Sequence, residues 1–229
     1  MNDIDNPDSL IEEMNRYYDA RARWHDWYMS YESNEKMEEL MHPIIQIFEN
    51  MLTGRRVLEI ACGTGNWTLV LAKRAESVLG LDISRAVLEI AETKLAGYNN
   101  VRLMQGDAYN LRNIDDTFDV VFAADWWSHI PKVGIHRLLE SIMSRIHSGS
   151  SVIFLDISLH EYFRKEPCYY DRDNNRISKR RLPDGSEFEV VKNFPSESEL
   201  RNLLADYSNN MVYYDFDSLK RWMVIFEKP

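Results

Sequence analysis

The chain has 229 residues, which suits one large α/β domain and leaves no room for a nucleotide-binding domain plus a separate substrate domain. Its formal net charge of −10 would repel a phosphate backbone and argues against a nucleic acid partner, and two cysteines, Cys62 and Cys168, are too few for a disulfide framework or a zinc site. There is no signal peptide and no apolar run of about 18 residues, so the expectation is a cytoplasmic protein without a membrane partner. In chain order, residues 8–28 and 33–51 read as two helices, the first carrying Tyr17, Tyr18, Trp24, Trp27 and Tyr28. Strand 56–60, helix 65–74, strand 77–82, helix 84–97 and strands 101–106 and 118–123 follow. In the helix after Asp82, Val87, Leu88, Ala91 and Leu95 recur at helical spacing, with Ser84 as N-cap.

A helix over 133–147 leads through HSGS to the strand SVIFLDI. Residues 158–195 form an insertion in which Pro-Asp-Gly separates two β-compatible runs, a hairpin signal. Residues 196–206 read as a last helix, with Ser196 and Glu199 spaced as a capping box. NMVYYDF and RWMVIFE are the closing strands. No repeat or low-complexity tract interrupts this order.

The most specific stretch is VLEIACGTGNW, residues 57–67. An apolar run ends in Glu59, passes the small residues Ala61, Gly63 and Gly65, and opens a helical pattern. Small residues allow a sharp turn and close approach to a ligand, and a strand, turn and helix at the carboxyl edge of a parallel sheet is where open α/β folds bind nucleotides. A dinucleotide fingerprint would need a third glycine where Thr68 stands, and a phosphate-binding P-loop would need Gly-Lys-Ser/Thr after the turn. Asp82 closes the next strand about twenty residues on, the spacing at which an acid receives ribose hydroxyls. VRLMQGDAYNL places Asp107 after a third strand, and FDVVFAADWWSHIP places Asp125 after a fourth.

The pattern E-x-A-x-G-x-G resembles motif I of the class I S-adenosylmethionine-dependent methyltransferases, and the acids after the following strands match that family's order. Ala61 stands where the family more often has glycine. The resemblance spans roughly residues 40–229, with its specific motifs between 57 and 131. It implies a Rossmann-like fold, a mostly parallel seven-stranded sheet with helices on both faces. It further implies an N-terminal helical lid over residues 1–40 and a methyltransferase domain over 41–229 that carries the 158–195 insertion on the substrate side. It implies S-adenosylmethionine as cofactor and S-adenosylhomocysteine as product, with no metal. The implied cofactor contacts are Tyr18, Glu59, Ala61, Gly63, Gly65, Asn66, Trp67, Asp82, Ile83, Asp107, Ala108, Asp125 and Trp126. Asp82 would serve the ribose, and Asp107 and the Ala108 N–H the adenine.

Methyl transfer to a hydroxyl or a protonated amine needs a proton acceptor, and His129, just past the fourth strand, is the candidate base. A backbone-bonded histidine that only fixes its loop would look the same in sequence. Trp126 and Trp127 are consecutive, so one should face the cofactor cleft and the other the packing. Trp24, Tyr28, Trp127, Tyr169, Tyr170 and Arg181 are candidate substrate contacts. In the insertion, Arg176, Lys179, Arg180, Arg181 and Lys192 form a basic cluster, either a solvated hairpin paired with Glu187 and Glu189 or a site for an anionic substrate group. The expected partner is a small molecule with a flat or apolar body, the expected assembly a monomer or homodimer. A noncatalytic S-adenosylmethionine-binding protein is the alternative.

Overall fold

The computed structural model describes residues 7–24 and 33–229. Its elements run α1 (Pro7–Arg21), a 3₁₀ turn (Ala22–Trp24), α2 (Asn34–Leu52), β1 (Arg56–Ile60), α3 (Asn66–Ala72), β2 (Ser77–Asp82), α4 (Arg85–Leu95), β3 (Val101–Gln105) and β4 (Phe118–Ala124). There follow α5 (Ile135–Met143), β5 (Ile146–Ile157), α6 (Glu161–Lys165), β6 (Cys168–Tyr170), β7 (Arg176–Arg181), β8 (Glu187–Val191), α7 (Glu197–Leu204), β9 (Val212–Phe216) and β10 (Arg221–Glu227). The expected first helix reached Tyr28, which with Trp27 lies outside the described residues.

Seven strands form one sheet in the order β3-β2-β1-β4-β5-β10-β9. β1 to β5 pair in parallel, and β10 runs antiparallel to both its neighbours. The central strands are apolar on both faces because both faces are covered. Leu58, Val121, Val152 and Phe154 point to the side packed by Leu138 and Leu139 of α5 and Leu200 of α7. Val57, Val120, Phe122 and Ile153 point to the side packed by Ile44, Ile45 and Phe48 of α2 and Leu71 of α3. The strand order reverses between β1 and β4, and this switch point opens a crevice at the carboxyl ends of the strands. The capping box of α7 is present, Glu199 N donating to Ser196 Oγ at 3.2 Å and Ser196 N to Glu199 Oε2 at 2.7 Å.

Two details differ from the expectation. α5 stops at Met143, because the next residues already serve the sheet: Phe118 N donates to Arg145 O at 2.9 Å, and Ile146 is buried beside Phe118. The insertion holds three antiparallel strands rather than a simple hairpin, with β6 added to β7 and β8 and a short α6 before them. Its turn is closed by Gly185 N donating to Leu182 O at 2.9 Å, Gly185 taking φ +89°.

α1 rests mainly on this insertion. Leu10, Met14 and Tyr17 share a separate apolar core with Ile177, Leu182, Val190 and Val191, and the Tyr17 ring meets Phe188 edge-on at 5.6 Å. The Val191 N–H points at Met14 Sδ, 3.3 Å away. α1 and the insertion sheet are thus one cap with its own core, which Ile11 ties to the main core below.

Candidate active site

The turn after β1 is built from left-handed residues: Ala61 at φ +54°, Gly63 at +55° and Gly65 at +82°. A Cβ at Gly65 would stand 2.9 Å from Leu95 Cδ1 and 3.3 Å from Ala91 Cβ, so glycine is what lets the turn sit against α4. At Ala61 the left-handed backbone has a steric cost of about 1–3 kcal/mol, a strain that persists only where the surroundings impose it. Cys62 N donating to Leu81 O at 3.0 Å supplies part of that constraint.

Three carboxyl groups converge at the ends of β1, β2 and β3, and all line one cavity. Glu59 is 2% exposed, and its Oε2 has no hydrogen-bond partner among the described residues. Burial pushes its carboxyl up to about 8, against the opposing Thr68 hydroxyl and with the help of the Asp82 charge. Asp82 Oδ2 accepts from Gly63 N and its Oδ1 from Ser84 N, both at 2.9 Å, so this side chain fastens the turn to the start of α4. Asp107 Oδ1 accepts from Tyr109 N at 2.9 Å, with Arg137 Nη2 3.9 Å from its other oxygen. Ile83, Ala108 and Asn66 complete this part of the wall, Asn66 Oδ1 accepting from Lys94 Nζ.

β4 ends in Asp125, a second non-glycine in the left-handed region, at φ +58°. Its carboxylate forms a buried ion pair with Arg221 of β10 and accepts from Trp67 Nε1 at 3.4 Å. The two tryptophans after it diverge. Trp126 lines the cavity and meets Tyr109 at 6.2 Å, whereas Trp127 is 3% exposed and packs edge-on against Phe154 at 4.7 Å and Trp222 at 6.1 Å. α1 closes the cavity with Met14, Asn15, Tyr18 and Arg21, the guanidinium lying 5.8 Å from the Tyr17 and Tyr18 ring centroids. Burial drives the Tyr18 hydroxyl well above its ordinary pKa, so it stays protonated. Tyr109, Met14, Asn15, Arg21 and Arg221 escaped the sequence expectation. Tyr109 alone carried a signal, its place two residues after Asp107.

His129 lies one side chain behind the cavity, its ring edge-on to Tyr18 at 5.4 Å. Its Nδ1 is 2.7 Å from Val191 O, which fixes Nδ1 as the donor in the neutral ring, and its Nε2 is 3.4 Å from Lys192 Nζ. Lys192 donates to Ser128 Oγ at 2.7 Å, and Asp156 accepts from Ser128 N at 2.7 Å and Ser128 Oγ at 3.1 Å. Burial lowers the pKa of both His129 and Lys192 and raises that of Asp156.

The rest of the basic cluster is mostly paired. Arg176 and Arg180 both meet Glu166, and Lys179 lies 3.8 Å from Glu189. Arg181 sits exposed beside the β7–β8 turn and lines neither this cavity nor the one beside Phe163. Tyr169 donates to Glu189 Oε2 at 2.9 Å on the outer face. Tyr170 and Trp127 border a second cavity, with Phe163, Arg176 and Leu200. Trp24 packs against the cap core. Tyr28 lies outside the described residues. Among the described residues no helix is long and apolar enough to cross a membrane, and no group of three or more His, Cys, Asp or Glu could hold a metal ion.

Residues 57–149 match the family model described as a methyltransferase domain. The structure superposes on the DhpI–SAH complex with a TM-score of 0.74 over 96% of this chain and 97% of that one, at 27% identity. The matched domain and the structural neighbours are those of S-adenosylmethionine-dependent class I methyltransferases. In sequence the chain is also similar to the demethylmenaquinone methyltransferases of Bacillus licheniformis, 32% identical over 53% of each chain, and Staphylococcus aureus, 29% identical over 69% of this chain and 70% of that one. It spans about half to seven tenths of the length of these curated relatives. A protein of Pyrococcus horikoshii shares the fold, with a TM-score of 0.72 at 18% identity.

Proposed function

We propose that this methyltransferase binds S-adenosylmethionine in the crevice between β1 and β4 and passes its methyl group to an oxygen or nitrogen nucleophile of a small molecule. The observation that carries the reading is the convergence of Glu59, Asp82 and Asp107 around a glycine-cradled turn on one cavity. The residues fit such a group: a buried carboxyl oxygen without a partner suits a cation, and Gly63, Thr64 and Asn66 bring the turn to the cavity wall, whereas Gly65 packs the turn on α4. Asp82 and Asp107 would hold the ribose and adenine, and Ile83, Ala108 and Trp126 the apolar faces between them. When bound, the cofactor supplies a methyl group on a sulfonium, which is already an activated leaving group.

What remains to the protein is to place the nucleophile, exclude water and take a proton. Tyr18, Tyr109 and Trp126 give the cavity flat apolar walls, and indole faces favour a neighbouring cation. His129, neutral with its lone pair on Nε2, is the proposed proton acceptor. Arg21 in the wall and Lys192 behind it favour an acceptor that carries an anionic group. DhpI has also been solved as a complex with SAM and HEP, 28% identical over 94% of this chain. A labelled-methyl transfer screen over metabolite fractions, enriched in anionic hydroxy and amino compounds, tests the reading by mass spectrometry of the product. A noncatalytic cofactor-binding protein would bind S-adenosylhomocysteine and yield no labelled product.

Asp82→Ala should weaken cofactor binding by roughly 1.5–3 kcal/mol in calorimetry, through loss of a charged acceptor and of the Gly63 and Ser84 anchors. An unchanged affinity removes Asp82 from this role.

The cap is the proposed lid. A covering body with its own core should open as a unit. Amides of α1 and β8 should therefore exchange at a common rate, faster than those of β1 and β4, and slow together when S-adenosylhomocysteine binds. Protection of α1 equal to that of β4 in the ligand-free protein contradicts the lid.

A further inference from the structure

The residues lining the cavity include four acids, Glu59, Asp82, Asp107 and Asp125, and one cation, Arg21. Three of the acids already meet donors: Asp82 two backbone N–H groups, Asp107 the Tyr109 N–H, and Asp125 the Arg221 guanidinium and the Trp67 indole. Glu59 is different. It is 2% exposed, reaches the cavity wall, and keeps Oε2 without a partner among the described residues. The groups that face it are the Cys62 thiol from the turn, Asp82 from β2 and the Thr68 hydroxyl from α3, none of them a cation. Across the cavity stand Asp107 after β3, Asp125 after β4, and Tyr18 and Arg21 from α1.

We infer that Glu59 is a carboxylic acid before the cofactor binds and surrenders its proton to solvent as the ammonium of the ligand's amino-acid end takes that place. The exchange conserves charge within the site: a neutral carboxyl and an incoming cation become an ion pair, and one proton leaves. This rests on the cofactor reading given above and adds what that reading does not contain, a proton-for-ammonium exchange that selects ligands with a cationic end. The carboxyl is held near 8 in the free protein by burial, with the Asp82 charge adding to it. Below about pH 8 the free protein must lose a proton to bind, so affinity rises with pH by close to tenfold per unit between about pH 6 and 7. The ligand's own α-amine stays protonated over that range.

The test is calorimetry of the full chain with S-adenosylhomocysteine at pH 7 in phosphate and in imidazole, two buffers of different ionisation heat, repeated at pH 6. The expected result is a heat difference equal to close to one proton released per site, and an affinity close to tenfold weaker at pH 6. Glu59→Gln, its fold checked by circular dichroism, should bind with the same heat in both buffers and without the pH slope. Equal heats in the two buffers for the wild-type chain overturn the inference while leaving the cofactor reading intact, and so does proton release that persists in Glu59→Gln. If that variant does not fold, the wild-type buffer pair and pH pair decide between the two outcomes. Absence of binding in every buffer overturns the cofactor reading and this inference with it.

Discussion

Asp125→Ala should destabilise the chain by about 3–5 kcal/mol in urea unfolding, the range for breaking a buried ion pair from one side. Asp125 and Arg221 are 15% and 6% exposed at their side chains, so water offers the guanidinium little compensation once its carboxylate is gone. The substitution also removes the acceptor of the Trp67 indole and places alanine at φ +58°, where a side chain without a local hydrogen bond is disfavoured. Asp125→Asn separates these causes, because asparagine tolerates the left-handed region and loses only the charge. Its cost should therefore fall below that of the alanine variant by about 1 kcal/mol. A loss under 1 kcal/mol for Asp125→Ala would show that the pair is not what fastens the end of β4 to β10.

His129→Asn should lower the maximal rate by on the order of 10²-fold while cofactor affinity stays close to wild type. The choice of asparagine matters, since its amide can still donate to Val191 O, which the imidazole does at 2.7 Å, and so keeps the loop on the insertion. What it loses is the basic lone pair at Nε2. Burial first, and the Lys192 charge second, hold the imidazole well below its ordinary pKa, so the ring is neutral at pH 7. The wild-type rate should then be level through neutral pH and fall only on the acid side of the free-histidine pKa, as a group with a lowered pKa begins to take up its proton. Near-normal turnover in the variant across pH makes His129 a structural residue that fixes its loop on Val191 O.

The three acids that line one cavity were legible because each ends an apolar run. Glu59, Asp82 and Asp107 close β1, β2 and β3, and chain order alone put them at one sheet edge. The cap was not legible. Leu10, Met14 and Tyr17 give α1 an apolar stripe, but what covers that stripe lies far along the chain, 177 residues from Met14 to Val191. Local pattern carries no information at that separation, and the helix was expected over the sheet end alone. The Asp125–Arg221 pair spans 96 residues and escaped for the same reason. β6 is three exposed residues, Cys168–Tyr170, too short for alternation to mark it. The basic cluster was visible, yet only the structure assigned Arg176 and Arg180 to Glu166 and left Lys192 beside His129.

The decisive measurement is a pair of calorimetric titrations of the wild-type chain at pH 7, one with S-adenosylhomocysteine and one with NAD. S-adenosylhomocysteine should bind at one site per chain, more weakly in Asp82→Ala, and NAD should give no heat. Binding of NAD with none of S-adenosylhomocysteine would contradict the cofactor reading.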